Sequence, residues 1–234
     1  IREAFGTYLD REVAEYILSE GFSEEGVELE VSILFCDVKD FTSFTADADA
    51  KEVVAALNSL FEEIVPIVAR NGGHVDKFVG DGLLAVFGAP EAHADHAERA
   101  VRAACQMAAT VNDKAAADGM RVGIGVNTGT VVAGSIGGGG RLAFSVIGDA
   151  VNIAARVEKA TRDLDENVLI TSQTAGKLGR GFETEPLGEH ELRGVTEPVE
   201  LFAVEQVRVP VDGATADRID GAAPAPRRIP RIRL

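Results

Sequence analysis

Tryptophan is absent from the 234 residues, cysteine, methionine and tyrosine occur twice each, and aromatic residues make up only 6%. Two cysteines, Cys36 and Cys105, both in apolar contexts, are too few for a disulfide framework and fit a reducing compartment. No stretch approaches the roughly 20 apolar residues of a membrane-spanning helix, and no signal peptide is visible. The expected location is therefore cytoplasmic. The chain begins at Ile1 rather than methionine, so it reads as a fragment. A regulatory or membrane-anchoring part could lie upstream, leaving this piece as the cytosolic portion. Basic residues are also scarce: 23 Lys+Arg face 38 Asp+Glu, for a net charge of -15. That balance argues against nucleic acid or an anionic membrane as the main partner. An anionic substrate would have to be held by local cations or metal ions.

What is present is 46% apolar residues, enough for one main core, with one main domain expected over residues 28–207 and flanking pieces at 1–27 and 208–234. In residues 1–20, Phe5, Leu9, Val13 and Ile17 recur every fourth position, the narrow apolar stripe of a helix that needs a partner. That partner is either its own domain or a second subunit. "VELEVSILFCDV" alternates and then turns wholly apolar, as a central strand ending at Asp37 would. Residues 51–70 place Val53, Leu57, Leu60, Phe61, Ile64 and Val68 on one helical face, with Pro66 a kink or late break. "GGHVDKF" and "LLAVFG" read as a hairpin turning at Gly80, Asp81 and Gly82.

A second amphipathic helix follows in "HADHAERAVRAACQMAATVNDKAAA", and then "MRVGIGVNTGTVVAGSIG" reads as strand, turn and strand. His93 and His96 are too close and too poorly supported for a zinc site and read as helix N-terminal residues. The four glycines at 137–140 mark a hairpin tip, since no G-K-[ST] follows to make a P-loop. Later come a helix from Asp149, a strand "VLIT", a short helix from Ser172 and strands near 182–189 and 199–206. Strands interleaved with helices without regular βαβ repeats indicate an α+β or mixed α/β domain. The segment 208–234, rich in Pro, Ala, Gly and Arg, reads as a disordered basic tail.

Asp37 and Asp81 each stand where an apolar strand meets a turn. Either alone reads as a turn or helix-cap aspartate. Two buried carboxylates close together would repel, so together they point to a shared divalent cation, Mg²⁺ or Mn²⁺, which also binds substrate phosphates.

The motifs "ILFCDVKDFTSFT", "GGHVDKFVGDGLLAVFG", "RVGIGVNTGTVVAG", "FSVIGDAVNIAARVE" and "LRGVTEPVELFAV", in this order between residues 28 and 205, resemble the class III nucleotide cyclase catalytic domain. Residues 1–20 also look like the helical segment preceding such domains in regulated bacterial members. The resemblance implies a ferredoxin-like, palm-type mixed sheet covered by helices. It implies in-line attack of the ribose 3′-hydroxyl on the α-phosphorus, with two metal ions, Mg²⁺ or Mn²⁺, per site.

By the same resemblance Asp37 and Asp81 are metal ligands, with the backbone carbonyl of Val38 as a further one. Lys77 and Ser145 contact the base, Lys77 favouring adenine and Ser145 permitting guanine. Asn152 and Arg156, one helical turn apart, orient the ribose and stabilise the transferring phosphoryl group. Arg121 and Arg193 contact the triphosphate. The implied protein is an adenylyl cyclase acting on ATP as a homodimer whose subunits share each site. A guanylyl or dual-specificity cyclase and a silent cyclase-like dimerisation or nucleotide-sensing module are the alternatives. A diguanylate cyclase would need a GG[DE]EF turn, which the sequence lacks.

Overall fold

In the computed structural model, residues 26–41, 45, 49–112, 120–138 and 141–207 are described; the proposed N-terminal helix and basic tail lie outside them. The order is β1 (Val27–Lys39), α1 (Ala50–Arg70), β2 (Gly73–Val79), β3 (Gly82–Phe87), α2 (His96–Asn112), β4 (Arg121–Gly138), β5 (Arg141–Ile147), α3 (Asp149–Asp163), β6 (Val168–Thr171), α4 (Ser172–Ala175), β7 (Phe182–His190) and β8 (Val199–Val207). The strands form one mixed sheet in the order β2-β3-β1-β4-β6-β8-β7, with β5 also paired to β4. Among the described residues only β4 and β6 run parallel. The βαββαβ run with β1 between β3 and β4 is the ferredoxin-like arrangement expected, and the α+β class stands.

Alternation along the central strands sends side chains to two faces. Leu34, Cys36 and Val38 of β1 meet Ile64, Val68, Val101 and Met107 of α1 and α2. Val31 and Ile33 meet Ala150 and Ala154 of α3 and Phe144 and Val146 of β5 on the other. The β4–β5 hairpin thus folds back across the sheet. Helix α1 starts in a capping box made by Asp49 and Glu52 and continues beyond Pro66 to Arg70. The exposed proline ends nothing, and its cost is the backbone bond it cannot donate.

One expectation needs correcting. Residues 121–138 form a single strand, not two strands joined by a turn. Their glycines serve close approach: a Cβ on Gly123 would strike Thr161 Oγ1, one on Gly125 the backbone of Glu158, and one on Gly129 the Ala150 Cβ at 2.8 Å. All three contacts lie on α3. Glycines at alternate positions on one strand face here let a helix lie against backbone.

Candidate functional site

The close seating of α3 on β4 brings its C-terminal end to the end of β1, where Asp37 pairs with Gly123. Arg162 Nη2 donates to Asp37 Oδ2 at 2.8 Å and to the Val38 carbonyl at 3.2 Å, and Arg162 Nη1 donates to Glu158 Oε1 at 2.6 Å. Lys39 fastens the same corner, donating to the carbonyls of Glu166 at 2.8 Å and Thr161 at 3.4 Å. Its ammonium pKa is lowered by burial and then by the charge of Arg121.

Asp81 enters from the β2–β3 turn. Gly80 takes a φ of 63° there, a backbone conformation that a side chain resists. Gly82 lets β3 close on β1, because a Cβ at that position would meet the Cys36 carbonyl and lie 2.9 Å from Asp37 Oδ1. Burial, and then the negative charge of Asp37 within hydrogen-bonding reach, holds the Asp81 carboxyl above its ordinary range. Burial pushes Glu158 up to about 7, against the opposing pull of Arg162. Burial, with Asp37, Glu158 and Asp81 around it, raises the Cys36 thiol far out of the reactive range.

Among the described residues no three His, Cys, Asp or Glu side chains converge as a metal-ligand group. The groups that could hold a metal here are two carboxylates and the Val38 carbonyl, all hard oxygens of the kind that suits Mg²⁺ or Mn²⁺. Arg162 lies against two of those three oxygens, so positive charge already faces this corner.

The second cluster sits where β2 meets the folded-back β5. Lys77 Nζ donates to Ser145 Oγ at 3.1 Å, and Ser145 Oγ donates to Asp76 Oδ2 at 3.0 Å. Lys77 is half exposed, whereas the Asp76 side chain is fully buried. Asn152 and Arg156 lie one turn apart on α3, Asn152 exposed and Arg156 partly so. The first turn of that helix is pinned by Asn127 Nδ2 on the Ala150 carbonyl at 2.9 Å, and Asn127 in turn accepts from Thr171 at 2.7 Å. Arg121, exposed at the start of β4, lies 3.9 Å from Asp165. Arg193 is exposed between β7 and β8.

The structure therefore joins Asp37, Val38 and Asp81 in one corner and Lys77 with Ser145 in another. Sequence reasoning missed three residues. Glu158 and Arg162 stand four apart on α3, a spacing that reads as an ordinary surface pair. Asp76 next to Lys77 would point to the opposite face of a regular strand. His96 does open α2, buried with Nδ1 2.9 Å from Ser32 Oγ, while His93 precedes the helix.

A family model described as "Adenylate and Guanylate cyclase catalytic domain" matches residues 25–206. Adenylate cyclase 1 of Rhizobium meliloti is 32% identical over 181 residues, 75% of this chain and 27% of that protein. The crystal structure of the adenylyl cyclase CyaB from P. aeruginosa superposes with a TM-score of 0.73 at 27% identity, covering 80% of this chain and 100% of that one. The guanylyl cyclase Cya2 superposes with a TM-score of 0.71 at 31% identity, covering 78% and 95%. The chain spans less than half the length of its first curated relatives, 39% for uncharacterised mycobacterial proteins.

Proposed function

The chain belongs to the class III adenylate and guanylate cyclase catalytic domain family, and on that premise we propose that it converts ATP to 3′,5′-cyclic AMP and pyrophosphate. The observation that carries adenine over guanine is the Lys77 ammonium held 3.1 Å from the Ser145 hydroxyl, a donor placed for the purine ring where guanine-specific relatives would be expected to carry glutamate. The Ser145 hydroxyl itself favours a second reading, dual specificity, because a hydroxyl both donates and accepts.

Asp37, Asp81 and the Val38 carbonyl would hold two divalent cations. When bound, such ions supply Lewis acidity toward the ribose hydroxyl and neutralise the triphosphate. The chain's own groups do the rest. Asn152 orients the ribose so that O3′ lies in line with the α-phosphorus. Attack forms the O3′–P bond, passes the hydroxyl proton to solvent water and breaks the bond to the pyrophosphate oxygen, which leaves with the electron pair. Arg156, with a planar fork of donors, spreads the charge that grows on the phosphoryl oxygens, while Arg121 and Arg193 steady the triphosphate.

Each site is shared between two copies of the chain. Exposed apolar residues support this: Phe78 (54%) and Val79 (48%) lie between Lys77 and Asp81, and Val132 (46%) pairs with Ile147 (58%) beside Ser145. Residues 28–207 form the catalytic domain in this reading, placed in the cytoplasm where ATP is supplied. Among the described residues no helix is long and apolar enough to cross a membrane.

Purified chain given Mn²⁺ with equal ATP and GTP is expected to form cyclic AMP in excess. A cyclic GMP excess would overturn the adenine assignment. Nucleotide binding without either product would favour the silent module.

A further inference from the structure

Ser145 can read a purine in two ways, and its neighbour selects one. The pairing of β2 with β3 slips between Val75 and Lys77, so that Val75 faces Ala85 and Lys77 faces Leu84, with Asp76 as the additional residue. Neighbours on a regular strand point to opposite faces, but a bulge re-aims them. Both Asp76 and Lys77 consequently reach the same hydroxyl, Asp76 Oδ2 at 3.0 Å and Lys77 Nζ at 3.1 Å, and pair with each other at 3.0 Å.

We propose that Asp76 is a positioning residue that fixes the base specificity by holding the Ser145 proton. This deepens the adenine reading and rests on it. A serine hydroxyl has one proton and two lone pairs, an ammonium only donates and a carboxylate only accepts. Between Lys77 and Asp76, the proton of Ser145 is committed to Asp76 and one lone pair to Lys77. What remains for a nucleotide is an acceptor. With Lys77 donating to ring nitrogen N1, that acceptor takes a hydrogen from the exocyclic amino group of adenine. Guanine in the same pose sets its N1–H against the ammonium and its O6 against an oxygen that cannot donate. A site left with unmatched polar groups rejects the wrong base strongly.

The remaining oxygen, Asp76 Oδ1, is buried and has no hydrogen-bond partner among the described residues. An unpaired buried acceptor costs stability, which a merely structural aspartate would not explain.

The test is Asp76→Asn, whose amide donates to Ser145 and frees the hydroxyl proton. The ratio of kcat/KM for ATP to that for GTP is read in wild type, D76N, S145A and the double variant, with melting temperature as the check on folding. The same ratio is taken from displacement of a fluorescent nucleotide analogue, so turnover is not required. The expected result is a fall of about tenfold in the D76N ratio, equivalent to ~1.4 kcal/mol, through improved use of GTP. D76N should add nothing to that ratio in the S145A background. Equal losses for both nucleotides, with the ratio unchanged, would overturn the role of Asp76 while leaving the adenine reading intact. A wild type that prefers GTP would overturn both. Should D76N melt below assay temperature, the displacement ratio is read in the cold, where it needs no turnover: an unchanged ratio sinks the proposal and a fall of similar size sustains it.

Discussion

Asp81 is held in an unfavourable place. Burial and the charge of Asp37 raise its carboxyl pKa in the folded chain. Because that value lies above the unfolded one, the protonated form is favoured by folding, and stability falls as pH rises through the folded value. Asp81→Asn is therefore expected to melt at a higher temperature than wild type near neutral pH, with the difference closing toward about pH 4. The same variant should lose cyclic nucleotide formation on the order of 10²–10³-fold, the scale of one preorganised electrostatic contact. Glu158 follows the same sign. Its folded value is about 7 against an ordinary 4.5, so its contribution is present in acid and lost as pH rises between those values. The stability of wild type minus that of Glu158→Gln, followed by thermal melting, should decline across that window. A difference that grows with pH would contradict the assignment.

At the scale of elements, α3 is the part that organises the site, and glycines on β4 set where it lies. Gly125→Ala would drive a methyl group into the Glu158 backbone. Overpacking of this kind costs about 1–3 kcal/mol, and here it displaces Glu158, Arg162 and the corner they brace. Melting should show that loss, with activity falling further than stability alone explains. Gly188, whose added Cβ would meet nothing within 4 Å though its φ is 86°, should cost only the backbone strain when changed to alanine. Sequence pattern made most elements legible: the apolar run before Asp37 is β1, and the two runs flanking the turn at Gly80, Asp81 and Gly82 are the β2–β3 hairpin. It failed on β4, where Gly123, Gly125 and Gly129 look like turn formers until the helix above them is seen. The candidate site was legible where a motif pointed to it, as for Asp37, Asp81 and Lys77. It was not legible at Arg162, whose partners Asp37 and Val38 are far away in sequence, or at Asp76, whose direction depends on a bulge.

The whole molecule presents two separate clusters. One corner carries Asp37 and Asp81, and another carries Lys77 and Ser145, with Asn152 and Arg156 on α3. Apolar side chains at Phe78, Val79, Val132 and Ile147 lie exposed around them. Two-fold pairing of identical chains places the same patch on both sides of an interface and generates two equivalent sites. Specific activity is accordingly expected to rise with protein concentration until the dimer saturates. The most direct measurement mixes two variants that are each inactive alone, Asp81→Asn and Arg156→Ala. In a mixed dimer one site keeps both residues and the other loses both. With free exchange of subunits, half the dimers are mixed, so cyclic AMP formation should return to about a quarter of the wild-type rate. A mixture no more active than its separate components would contradict a site shared between two copies of this chain.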